Sequence, residues 1–173
     1  MLKKILFIFA LFAAAFPARA EKGVNIYQYS REVPDTNLYS QYGKAVRLKD
    51  FKGDFLIAVF WSKSCIPCIR ELDDLAEFVQ KTKDTGIKVI LVSPAEDWAN
   101  EDEQKAFLKR YGAKNIDFYV ERNGQLSLDF GIFSTPNAIL INAESMEIGR
   151  IRGSVDWDDK NVIEYIYKIK AKY

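Results

Sequence analysis

Histidine is absent from all 173 residues. Its absence excludes a Ser-His-Asp triad, a Cys-His nucleophile pair and any imidazole-ligated metal or haem within this chain. Cysteine is nearly as scarce, with only Cys65 and Cys68. Structural zinc takes about four thiolate or imidazole ligands, more than these two sulfurs supply. Ile69 follows Cys68, so the pair is not a C-x-x-C-H haem attachment motif either. Beyond the initiating residue, methionine occurs once, at Met146. No excess of one charge is present: 25 basic residues face 24 acidic ones. That balance offers no electrostatic footprint for nucleic acid.

A long membrane-spanning run is lacking as well. The apolar stretch Ile5–Phe16 has 12 residues, short of the roughly 20 that a helix needs to cross a bilayer. Lys3 and Lys4 precede it, and Ala18 and Ala20 follow in an A-x-A arrangement. This is the pattern of a cleavable secretory signal over residues 1–20, cut after Ala20, with an uncleaved anchor as the alternative. No cysteine directly follows the stretch for a lipid to be attached to. Loss of Lys3, Lys4 and Arg19 turns the mature chain slightly acidic, about −2. The expected division is a signal at 1–20, an N-terminal extension at 21–45 and one domain at 46–173, a size suited to a single core and a monomer. The expected location is periplasmic or otherwise secreted. Thiols there tend to be oxidised, so a neighbouring pair closes into a disulfide unless something reduces it.

Beyond the signal, residues Val24–Val33 are irregular and are expected to form at most a short strand, ended by Pro34-Asp35. "KAVRLKDF" alternates apolar and polar residues, as a half-exposed strand does. "FLIAVFW", Phe55–Trp61, is continuously apolar, the mark of a strand covered on both faces. From Pro67 to Lys83 the spacing becomes helical, with Leu72, Leu75, Ala76, Phe78 and Val79 on one stripe. "IKVILVS" predicts a second buried strand, and "EDEQKAFLKRYG" a helix with an acidic start and a glycine stop. "IDFYV", "NAILIN" and "EIGRIRG" predict further strands, with a turn at Asn123-Gly124. The closing helix is expected from near Asp158, with Val162, Tyr165, Ile166 and Ile169 on one face. This order predicts an α/β fold, a mixed sheet with helices on both faces.

The cysteines stand in "WSKSCIPCIREL", at the junction of the buried strand and the helix. Unpaired N–H groups and the helix dipole favour a thiolate at that place, which makes Cys65 the nucleophile and Cys68 the resolving thiol. Two other readings compete. A structural staple explains the pair poorly, since closing so short a loop removes little chain entropy. Two thiolates also suit Cu(I), although such sites recruit a further soft ligand.

"FWSKSCIPCIREL" is similar to the F-W-x-x-W-C-x-P-C-x-x-E motif of the thioredoxin superfamily, and "GIFSTPNAILIN" to its G-V-x-G-x-P-T-T-F-L-I-D. About 70 residues separate the two. Within the superfamily the chain resembles the secreted TlpA and ResA-like thiol-disulfide oxidoreductases, from about Val46 to the last helix. The resemblance implies a thioredoxin-like three-layer fold, a central mixed sheet flanked by helices, with an N-terminal extension and a helical insertion in the middle. It implies Cys65 as attacking thiol, Cys68 as resolving thiol, and Pro136 as a cis-proline facing their disulfide. Thr135 would offer backbone groups to a client segment, a small β-strand addition. Ile66, Pro67 and Trp61 join the expected client-contacting residues, although packing is the competing role for Trp61. Glu71, three residues after Cys68, matches the glutamate that exchanges protons with the cysteines. A solvated acid favoured by the helix dipole is its other reading. The buried acid of cytosolic thioredoxins would stand six residues before Cys65, where Val59 occurs. Ser64, Ser134 and Asn137-Ala138 depart from the pattern, which alters the surface around the disulfide and leaves its chemistry in place.

The expected function is a periplasmic or secreted oxidoreductase that reduces disulfides of client proteins. By resemblance its clients are apocytochrome c or copper-site cysteines of oxidase assembly, and its own reductant is a membrane thiol-electron carrier. No cofactor, metal or nucleic acid is implied. The absence of histidine between the cysteines leans towards the reductase direction. A copper-handling binding protein using the same thiols is the alternative.

Overall fold

The computed structural model of the chain describes residues 23–40 and 42–173. The signal expected at 1–20 and its cleavage after Ala20 lie outside the described residues. Eight strands are described: β1 Gly23–Glu32, β2 Leu38–Ser40, β3 Ala45–Val46, β4 Phe55–Phe60, β5 Ile87–Pro94, β6 Asp117–Glu121, β7 Asn137–Ile141 and β8 Met146–Arg152. The helices are α1 Ile66–Arg70, α2 Leu72–Lys81, α3 Glu101–Arg110, α4 Gln125–Phe130 and α5 Lys160–Lys172.

All six residues of β4 are buried, as a continuous apolar run demands of a strand covered on both faces. It pairs in parallel with β5, and β5 in parallel with β6. On its other side it pairs antiparallel with β7, which pairs antiparallel with β8. One sheet results, in the order β1-β8-β7-β4-β5-β6-β2-β3. Alternate residues of β4 divide between two apolar layers. Phe55, Ile57 and Val59 pack with Leu72, Leu75 and Phe78 of α2, Leu108 of α3 and Ile166 of α5. Leu56, Ala58 and Phe60 pack on the other face with Leu126 and Phe130 of α4 and with Leu48. This is the three-layer α/β architecture expected, with α3 lying between β5 and β6 in the middle of the chain.

Four local expectations are corrected. The segment expected to hold at most a short strand forms the ten-residue β1, hydrogen-bonded to β8. Its burial pattern is almost wholly exposed, so side-chain alternation could not reveal a strand whose partner is a backbone edge. "KAVRLKDF" holds only the two-residue β3, and Leu48–Phe51 forms a 3-10 turn that buries Leu48. The helix expected from Pro67 to Lys83 is interrupted at Glu71, whose φ and ψ of −92° and −2° cap α1 and open α2. Finally, α4 follows the turn at Asn123-Gly124, where both residues have positive φ. Only six residues long, it shows too little periodicity to be read in sequence.

Gly149 of β8 is the residue that admits β1. A Cβ built there would stand 2.6 Å from the Asn25 carbonyl oxygen and 2.7 Å from Ile26 Cδ1. The nearest obstacle is backbone, so it moves only if the strand moves. Gly149→Ala is therefore expected to cost about 1–3 kcal/mol in urea unfolding. It should also lower amide hydrogen-exchange protection in β1 more than in β4.

Candidate active site

Beyond β4 the chain stays tied to the sheet for one more residue, as Trp61 N–H donates to the Val92 carbonyl at 2.9 Å. The Trp61 side chain is 1% exposed and packs against Trp98 and Phe107, with ring centroids 5.6 and 5.9 Å away. Expected among the client-contacting residues, Trp61 is instead a core residue with no face open to a visitor. The next turn is held from outside. Lys63 N–H donates to Asp97 at 3.0 Å, and its ammonium pairs with Glu103 at 3.0 Å while lying 5.2 Å from the Trp98 ring centroid. Ser62 Oγ accepts the Ser64 N–H, and the Ser62 carbonyl accepts the Cys65 N–H. The cysteine turn is thus fastened to the β5–α3 connection, a link absent from any local motif.

Cys65 is the N-cap of α1, with extended backbone (φ −84°, ψ 96°), and its sulfur accepts the Cys68 N–H at 3.3 Å. Pro67 occupies the first turn, where its missing N–H leaves no bond unmade. The structure holds the oxidised state: Cys65 and Cys68 are joined by a disulfide with an S–S distance of 2.09 Å. The two sulfurs differ in access. Cys65 is half-buried and flanked by exposed Ile66 and Pro67, whereas Cys68 is 1% exposed.

The second motif arrives at the same place through the sheet. Phe60, the last residue of β4, lies opposite Asn137, the first of β7. The chain therefore enters β7 at the end where β4 leaves towards the cysteines. The Thr135-Pro136 bond just before β7 is cis. Pro136 is buried and its carbonyl accepts the Gly153 N–H at 3.0 Å. Phe133, Ser134 and Thr135 are exposed, Phe133 by 86%. Sequence reasoning passed over Phe133. An apolar residue in a loop between a helix and a buried strand was the available signal.

Glu71 is buried, 5% exposed, at the junction of α1 and α2. Its Oε2 accepts the Val155 N–H at 3.0 Å, a partner 84 residues away that no spacing could indicate. Burial pushes its carboxyl from 4.5 up to about 7, against the opposing Val155 hydrogen bond and with a smaller push from Asp74. A carboxyl that half-ionises near neutral pH can take and return a proton there. Val59, at the position of the cytosolic proteins' buried acid, is apolar and buried. Among the described residues no group of three or more Cys, Asp or Glu is placed to hold a metal ion.

Comparison with known proteins places these features in company. Residues 29–166 match the family model described as AhpC/TSA family. The chain is similar to the thiol-disulfide oxidoreductase ResA of Bacillus thuringiensis, 28% identical over 142 residues that cover 82% of this chain and 79% of the relative. It is 27% identical to the thiol:disulfide interchange protein DsbE of Vibrio cholerae, over 90% of this chain and 89% of that one. A solution structure of a thiol:disulfide interchange protein from Bacteroides sp. superposes with a TM-score of 0.67 at 20% identity, covering 82% of this chain and 90% of that one.

The raised Glu71 carboxyl predicts a pH-dependent stability. The folded chain holds the proton more tightly than the unfolded one, so this contribution is complete below pH 4.5 and lost as pH rises through about 7. The loss amounts to ~3 kcal/mol. Urea unfolding of the oxidised protein across this range should show that decline relative to Glu71→Gln, in which it disappears. Parallel pH profiles for the two proteins would place the Glu71 carboxyl near its ordinary value.

Proposed function

The chain belongs to the AhpC/TSA family of thioredoxin-like proteins, and from that premise we propose that it is a protein thiol-disulfide oxidoreductase acting through Cys65 and Cys68. One observation carries the reading: a reachable sulfur at the start of a helix is bonded to a buried one a single turn further in. ResA and DsbE relatives that span most of the chain support it.

In the reducing direction the cycle starts from the dithiol. The Cys65 thiolate is favoured by the helix start and by the Cys68 N–H already directed at its sulfur. It attacks one sulfur of a client disulfide, forms a Cys65–client bond and releases the first client thiolate. Cys68 gives its proton to the Glu71 carboxylate and attacks Cys65 Sγ. The Cys65–Cys68 disulfide forms, the second client thiolate leaves and is protonated, and two electrons have passed to the client. Burial of Cys68 shields it from other thiols until the mixed disulfide forms. Ile66, Pro67, Thr135 and Pro136 frame the face on which the client lies, with Thr135 offering backbone groups to it.

The finer reading is a periplasmic or secreted reductase in cytochrome c or copper-oxidase assembly, reset by a membrane thiol-electron carrier. The secretory signal read at residues 1–20 and the resemblance to the secreted reductases support it. No helix among the described residues is long and apolar enough to cross a membrane.

With dithiothreitol as reductant, the protein should accelerate reduction of insulin disulfides, and Cys65→Ser should lower that rate by at least about 100-fold. In Cys68→Ser, mixed disulfides should accumulate on Cys65 in cells, and the attached proteins identify client and direction together. Alkylation of the reduced protein should follow a Cys65 titration below neutral pH. Insulin reduction that is unaffected by Cys65→Ser would remove the proposal.

A further inference from the structure

A buried ion pair lies outside the redox site and has no part in the chemistry above. Arg150 of β8 is 8% exposed and Glu147 is 3% exposed. The guanidinium donates through Nε to Glu147 Oε1 at 2.5 Å and through Nη2 to Oε2 at 3.3 Å. Tyr27 of β1 donates its hydroxyl to the same Oε1 at 2.9 Å. The remaining arm is the informative one: Nη1 donates to the Phe130 carbonyl at 2.6 Å. Phe130 ends α4, where left-handed Gly131 stops the helix and leaves that carbonyl without a helical partner. Arg150 supplies the partner, and its cation also suits the negative end of the helix.

Phe130 is gripped from a second side. Its ring meets Phe60 edge-on, with centroids 5.8 Å apart, and Phe60 is the last residue of β4 before the cysteine segment. Five residues separate Phe130 from Pro136, and they include the exposed Phe133, Ser134 and Thr135. A buried ion pair adds little net stability beyond what apolar residues of equal volume would give, because both charges must be desolvated. Its planar, directional bonds do supply orientation.

We propose that Arg150, held in place by Glu147 and Tyr27, is a positioning residue that sets the loop 131–135 relative to the disulfide and thereby governs the binding of protein clients. This rests on the oxidoreductase reading above. The cysteines themselves lie on another connection, so exchange with a small disulfide that needs no loop should proceed without it.

The test compares two substrates, insulin and the small disulfide cystine, in wild type, Arg150→Lys and the charge-neutral double variant Arg150→Met with Glu147→Gln. Expected for the folded double variant is a KM for insulin raised about 10-fold, with kcat, the cystine rate and the Cys65 titration unchanged. Arg150→Lys, which keeps a cation able to reach the Phe130 carbonyl, should recover much of the loss. An unchanged insulin KM, or an equal fall for insulin and cystine, would overturn the proposal. Should the double variant fail to fold, Tyr27→Phe decides, since it removes the hydroxyl that holds Glu147: a raised insulin KM at an unchanged cystine rate supports positioning, and two unchanged values refute it. A wild-type protein inactive on insulin would instead count against the oxidoreductase reading, which keeps the two failures apart.

Discussion

The antiparallel register between β4 and β7 is the constraint on which the site depends. Phe60 opposite Asn137 brings two segments about 70 residues apart in sequence to one end of the central strands. Every other residue pair in this ladder is buried and apolar on both faces. A slip by one residue would turn each side chain to the wrong layer and carry the Pro136 segment away from the cysteine turn. The packing that stabilises the sheet and the geometry that assembles the chemistry are therefore one and the same.

Around that end, charge is distributed unequally. Cys65 sits where a helix start and a directed N–H group favour a negative sulfur. Glu71, one turn beyond Cys68, sits where burial disfavours its anion. The two environments oppose each other along a few residues of one helix, and the break at Glu71 turns its carboxylate towards the Val155 N–H rather than to solvent. In the proposed cycle, such opposed environments would let a thiol and a carboxylic acid exchange a proton close to neutral pH.

Most of the fold was legible because its signals are local. The apolar β4, the stripe of α2 and the acidic start and glycine stop of α3 each announce themselves within about a dozen residues. The cysteine motif was legible for the same reason. What escaped was carried by the backbone or by distant partners. β1 is held by ladder bonds and by a glycine on another strand. α4 is too short for periodicity. The burial of Trp61 depends on Trp98 and Phe107, and the strength of Glu71 as an acid depends on its depth and on Val155. Nothing local in "EIGRIRG" announces that Glu147 and Arg150 are buried, because their partners, Tyr27 and the Phe130 carbonyl, lie far off in sequence.

The unequal depth of the two sulfurs has a consequence for regiochemistry. Any partner arriving from outside meets Cys65 and not Cys68, whether it is the client disulfide or the thiol donor of the proposed cycle. Both half-reactions of the proposed cycle would then pass through a single atom, so the two partners would take turns and compete for one doorway. On the proposed function the protein would be a ping-pong shuttle, carrying a pair of electrons between two partners that never meet on its surface.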